Sequence, residues 1–218
     1  MASTRFQNGF REVSGGSWGS GSNAVTMRGW IRAHTSEGGG VAEVGDAVAS
    51  VVILTPLNMI GVMEYNYGVD YGTLAADAWC FISLCLSGTT ATMRYSTDGE
   101  TIADTLSVSL SLTTWTASVA KLGISDGTII GDAQFHHWRV LNGVTETDET
   151  FLAAISDSSA DGEWAYWQLE DASLADSSGN SRPLTGSGGT LSAGSSSAPI
   201  PTPTPTETYN AVMMGSCY

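Results

Sequence analysis

Basic residues are scarce in this chain: 8 Lys and Arg stand against 22 Asp and Glu in 218 residues, a formal net charge of −14. Such a surface repels phosphate backbones and anionic lipid headgroups, so neither nucleic acid nor a membrane is an expected partner. Charged residues of both signs make up only 14%. The exposed faces must therefore be largely hydroxyl-bearing rather than ionic, a composition that suits extracellular or virion proteins. Cysteine is nearly absent. Cys80 and Cys85 fall in one expected strand at an odd offset, so they face opposite sides. About 17 Å of extended backbone separates them, which excludes a bond between them. With Cys217 they form neither a disulfide framework nor a zinc spacing, and they read as buried apolar side chains. No run is long and apolar enough to span a bilayer, and the start, Met1 to Phe6, lacks the layout of a secretory signal. The expectation is a protein made in a host cytoplasm and released by lysis into a virion context.

Period-two alternation fills most of the chain. Leu106, Val108, Leu110 and Leu112 alternate with Ser107, Ser109 and Ser111, as in a strand with one face in a core and one in water. Residues 24–31, 51–54, 59–67, 79–86 and 91–95 read as further strands, punctuated by Gly, Asp, Asn and Ser. Asp98-Gly99 marks a tight turn between adjacent antiparallel strands. One segment reads as helix. Thr145 or Thr147 caps it, Asp148 and Glu149 occupy its first turn, and Phe151, Leu152 and Ile155 share one side. It is expected to plug one end of a sandwich. From Pro199 the sequence becomes a Pro/Thr spacer of polyproline II type, ending in an apolar tip. The division expected is one domain over residues 1–198 and an arm over 199–218.

Several segments in order carry a resemblance. They are Val25 to Ile31, Trp79 to Leu84, Met93 to Gly99, Phe135 to Asn142, Trp164 to Leu169, and the closing Asp176-Ser177-Ser178-Gly179-Asn180. Together the chain resembles the concanavalin A-like, laminin G-type jelly roll. The resemblance implies an all-β fold: two curved antiparallel sheets of six or seven strands, the first and last strands pairing near an edge, with one short helix and an extended C-terminal arm. Family members include lectins, glycosidases, adhesion modules and phage structural proteins.

The glycosidase branch sets two carboxylates on one strand face, and no such strand exists here. Glu43 and Asp46, or Glu64 and Asp70, read as solvated loop acids, so no enzyme activity and no catalytic residue is expected. Calcium, used by several lectin and laminin G members, would have oxygens from Asp171, Asp176 and Asn180, or from Asp157 and Asp161. The favoured reading is that Asp176 and Asn180 cap their own turn, with no cofactor and no metal bound. His136 and His137 are adjacent in a strand, should face opposite sides, and so should not share an ion. Trp138, Val140, Trp164 and Tyr166 read as core or half-buried side chains, with a sugar-stacking role open to any exposed aromatic. Gly38-Gly39-Gly40 reads as a flexible turn.

These features point to a non-enzymatic virion structural protein, a phage capsid decoration or tail-associated jelly roll. Its arm would dock on other virion subunits or on copies of itself through Ile200, Tyr209, Val212, Met213, Met214 and Tyr218. The alternative is a lectin-like carbohydrate-binding adhesion module that recognises surface glycans.

Overall fold

The computed structural model describes residues 2–20, 23–34, 38–45, 48–54, 58–64, 68–75, 77–111, 114–125, 128–156, 163–186 and 188–201. The alternation becomes two sheets packed face to face, with strands numbered in chain order. The first sheet runs β10 (Asp104–Ser109), β9 (Thr90–Ser96), β8 (Trp79–Ser87), β3 (Val25–Ala33), β14 (Asp132–Asn142), β1 (Thr4–Gln7) and β16 (Thr190–Ala193). β15 (Ala165–Trp167) pairs with Trp138 to Val140 of β14. The second sheet runs β7 (Gly68–Thr73), β6 (Met59–Glu64), β5 (Ala49–Leu54), β4 (Gly39–Val44), β11 (Thr116–Leu122) and β2 (Arg11–Ser20). The short β12 (Ile124–Ser125) and β13 (Thr128–Ile129) extend it, β13 meeting β4 in a parallel contact at Gly40. The terminal strands β1 and β16 do pair at an edge, Thr4 opposite Ala193.

Strand β10 shows why the pattern folds this way: Leu106 and Val108 are buried while Ser107 and Ser109 are exposed. It pairs with β9 across a longer loop than a two-residue hairpin, with Asp104 opposite Tyr95. Asp98 Oδ1 accepts the N–H groups of Glu100 and Thr101 at 2.8 Å each, and Gly99 takes φ 77°. Between the sheets lie Ile31, Ile82, Val51, Ile60, Val62, Phe135, Trp138 and Trp167, all fully buried. Each such side chain contributes about 1.5–3 kcal/mol by leaving water. Cys80 belongs to this core and Cys85 is buried on the other face, both free, as the odd offset requires.

The helix α1 (Asp148–Ser156) forms where expected. Thr147 and Thr150 cap it reciprocally, each backbone N–H donating to the other's Oγ1, at 2.8 and 3.3 Å. It does not plug an end. Phe151, Ala154 and Ile155 pack on Trp30 and Phe81, which sit opposite each other on the outer face of β3 and β8. The outward-pointing aromatics of the first sheet need cover, and α1 supplies it. Leu152 lies beside this stripe and stays 38% exposed. The glycine run also differs from expectation, since Gly39 and Gly40 are strand residues paired with Ile53 and Val52. A Cβ on Gly39 would fall 2.7 Å from the Ile129 carbonyl oxygen, so glycine there permits β13 to approach. No helix among the described residues is long and apolar enough to cross a membrane.

Candidate functional site

The histidine pair overturns its expected geometry. The register of β14 against β3 shifts between His136, opposite Trp30, and Arg139, opposite Arg28. One extra residue is therefore inserted opposite Gly29, a β-bulge, and His137 takes φ 51°. Both imidazoles consequently lie on the outer face of the first sheet, with centroids 4.3 Å apart. Gly29 makes room for this arrangement: a Cβ there would meet the Trp138 ring at 2.4 Å. A sequence signal for the bulge exists, because the core residues Ala133, Phe135, Trp138 and Val140 skip one place in the period of two.

Glu170, beside an isolated bridge to Ser3, brings its Oε1 to 3.5 Å from His136 Nε2 and 3.7 Å from His137 Nε2. The Tyr166 hydroxyl bonds His137 Nδ1. Arg139 stacks its guanidinium 4.4 Å from the Tyr166 ring centroid and pairs with Glu163 at 3.0 Å, both side chains buried. His136 is 3% exposed, and neither of its ring nitrogens has a hydrogen-bond partner among the described residues. Burial pushes both imidazoles down to about 4, so they are neutral at neutral pH with a lone pair to offer. Of the described residues, His136, His137 and Glu170 are the group able to hold a metal ion, their donor atoms lying within 4.8 Å of one another. Next to His137 is a small pocket lined by Trp30, Phe81, Arg139, Ile155 and Ile200, with room for about one water and too little for a sugar ring.

The outer face of the second sheet offers a different chemistry. Burial falls towards its β7 edge: Val52 is 7% exposed, Met59 and Met63 are half-buried, and Tyr71 is 39% exposed. Tyr71 sits opposite Gly61, and its Cδ1 lies 2.4 Å from where a Gly61 Cβ would be. The ring thus fills the place of the missing side chain and keeps the rest of its surface open.

Other sequence candidates resolve individually. Asp176 accepts backbone N–H groups from Tyr166 and Ser178 on Oδ1 and from Arg182 on Oδ2, at 2.8–3.0 Å, and Asn180 donates to the Glu163 and Trp164 carbonyls. Asp176 thus caps its own turn as expected, whereas Asn180 ties the turn to the carbonyls ahead of β15 instead of capping it. Asp171 is exposed in the neighbouring turn, while Asp46, Asp157 and Asp161 lie outside the described residues. Glu43 and Glu64 are not solvated loop acids. They are strand residues 2% and 3% exposed, Glu43 paired with Lys121 at 2.8 Å and Glu64 hydrogen-bonded by the Ser111 hydroxyl and N–H. Their partners come from distant strands, which a linear reading does not bring together. Asp70 accepts the Ser107 N–H at 3.0 Å. Trp164 is half-buried under the Arg182 guanidinium, 4.5 Å from its ring centroid. Of the arm residues, Ile200 packs on the α1 cluster of its own chain. Tyr209, Val212, Met213, Met214, Cys217 and Tyr218 lie outside the described residues.

No family model matches the chain, and no curated protein matches it. Among solved structures, a candidate carbohydrate-binding protein from Bacteroides ovatus is similar over 92% of this chain, at TM-score 0.63 and 13% identity. The chain spans 63% of that protein's length. A native heptameric SAP-like pentraxin from Limulus polyphemus is similar over 89% of this chain and 96% of its own, at TM-score 0.53 and 10% identity. At these identities the likeness carries the fold alone: the chain is a two-sheet antiparallel jelly-roll sandwich.

Proposed function

We propose that this protein is a non-enzymatic carbohydrate-binding module that contacts glycan along the β6–β7 edge of its second sheet, with Tyr71 as the stacking platform. The observation that carries this reading is the exposed Tyr71 ring propped over Gly61, with half-buried Met59 and Met63 on the neighbouring strand. An aromatic held in place by the sheet presents an apolar face to a sugar ring without ordering a loop. The outer face of the first sheet is less suited, because α1 and residues 198–200 cover Trp30 and Phe81. Similarity to a candidate carbohydrate-binding protein supports the class.

The binding reading is preferred to a catalytic one because the buried carboxylates are engaged. Glu43 is held by Lys121, Glu64 by Ser111, Glu146 by Arg28 and Glu163 by Arg139. A general acid or base needs a carboxylate free to exchange its proton with substrate. The assembly reading, with residues 199–218 docked on a neighbouring virion subunit, has less support, since Ile200 is taken up by the chain's own α1 cluster. A glycan array with and without calcium tests the proposal. At least one glycan class is expected to bind, and Tyr71→Ala to weaken it at least about tenfold, or about 1.4 kcal/mol, with the fold intact. A silent array for the native chain would end this reading in favour of a structural role.

A further inference from the structure

We propose that His136, His137 and Glu170 form a binding site for a divalent transition-metal ion of the zinc class, held by both Nε2 atoms and a carboxylate oxygen with a fourth position left open. The spacing is the first argument. Glu170 Oε1 stands 3.5 and 3.7 Å from the two Nε2 atoms. Hydrogen bonds of this kind close to about 2.7–3.2 Å. Ligands set about 2.0–2.2 Å from a tetrahedral zinc are separated by about 3.3–3.6 Å, close to what is seen. The carboxylate oxygen therefore stands from each imidazole at the spacing of two ligands on one ion, and all three donors lie within 4.8 Å of one another.

The second argument is His136, 3% exposed with both ring nitrogens unpartnered among the described residues and its Nε2 3.5 Å from Glu170 Oε1. A buried polar group without a partner is costly, and a coordinated cation removes that cost at Nε2. His137 is oriented from outside the site. The Tyr166 hydroxyl occupies its Nδ1, which leaves Nε2, 3.7 Å from Glu170 Oε1, for the ion. The backbone is also committed here, since His137, Leu169, Asp171 and Ala172 all adopt φ between 50° and 65°, unusual for residues other than glycine.

Charge and softness select the ion. Two neutral imidazoles and one carboxylate leave a single negative charge for the cation, while the nearby Arg139 is balanced by Glu163. Nitrogen donors suit zinc and its neighbours, whereas calcium takes six to eight oxygens. The site is on the first sheet and Tyr71 on the second, so this proposal and the glycan reading can fail separately.

The test uses the full chain, stripped with a chelator and titrated with zinc chloride. One equivalent should bind, and free zinc at a hundred times Kd should raise Tm by roughly 5–10 °C, with calcium giving no shift. His137→Asn keeps a residue that tolerates the left-handed backbone but removes the ligand, and Glu170→Gln keeps the shape. Each should weaken zinc binding at least tenfold while the metal-free Tm stays within a few degrees of the native chain's. X-ray absorption of the loaded native chain reads the donors without any variant, with a nitrogen and oxygen shell expected at about 2.0–2.1 Å. The proposal is overturned if no equivalent binds, if both variants bind as tightly as the native chain, or if the shell is sulfur at about 2.3 Å.

Discussion

Gly29→Ala is the sharpest probe of the bulge that shapes this molecule. Gly29 lies on the core face of β3, and a Cβ there would fall 2.4, 2.5 and 2.6 Å from Cγ, Cδ1 and Cδ2 of Trp138. Carbon atoms in contact sit about 3.5–4.0 Å apart, so the indole or the strand must give way by about 1 Å. The indole has little freedom, being 1% exposed with its Nε1–H donating to the Trp30 carbonyl at 2.8 Å. Overpacking costs about 1–3 kcal/mol and a disturbed buried hydrogen bond about 1–3 kcal/mol. Alanine returns about 0.5–1 kcal/mol of chain entropy. The net expectation is a loss of about 2–4 kcal/mol, read as a fall in Tm of roughly 5–15 °C followed by circular dichroism. Gly15→Ala is the control, since its Cβ would meet nothing within 4 Å. It should be as stable as the native chain or up to about 1 kcal/mol more stable. A Gly29→Ala protein as stable as the control would refute the bulge and the packing of Trp138 against β3.

Three further outcomes follow from buried charge, titration and apolar packing. Arg28 and Glu146 form a pair at 3.3 Å with side chains 9% and 1% exposed. Glu146→Ala should cost about 3–5 kcal/mol in urea unfolding, and the double change Arg28→Met with Glu146→Leu should recover most of it, because removing both partners strands no charge. Asp132 is held below the usual carboxylate range chiefly by its hydrogen bond from Arg5. Its stabilising contribution is thus complete above the unfolded value of about 3.9 and is lost as pH falls through the lower folded value. Asp132→Asn should flatten the acid limb of Tm against pH below about pH 4, and an unchanged limb would count against the Arg5 contact. Phe151→Ala, at the fully buried anchor of α1, should cost about 3–5 kcal/mol; a smaller loss would mean that the helix is not needed to cover Trp30 and Phe81.

How much of this was legible in the sequence depends on where the deciding contact comes from. The alternation in β10 and the apolar runs of β3 and β8 are local signals, and each formed the element it announced, while Asp98-Gly99 marked the turn but not the longer loop it sits in. Thr147 and the acids behind it marked the helix start for the same reason. Glu43 and Glu64 looked like loop residues because Lys121 and Ser111, which neutralise or satisfy them, are 78 and 47 residues away. Gly39 and Gly40 looked like a turn because nothing local reveals that β13 approaches them. The histidine pair was misplaced by a single rule, the strict period of two. A bulge breaks that rule and turns adjacent residues to one face, and only the three-residue step from Phe135 to Trp138 hinted at it. The Tyr71 surface carries no local sequence signal beyond being aromatic, since its exposure depends on the register that puts Gly61 opposite.

Sugar is proposed to meet the second sheet at its β7 edge. Backbone amide chemical shifts recorded during titration with an array-positive glycan locate the contact directly. The largest changes are expected at Tyr71 and at the neighbouring Met59, Gly61, Met63 and Thr73. Changes centred instead on the turn of Asp176 and Asn180, with Tyr71 unmoved at saturation, would contradict the claim.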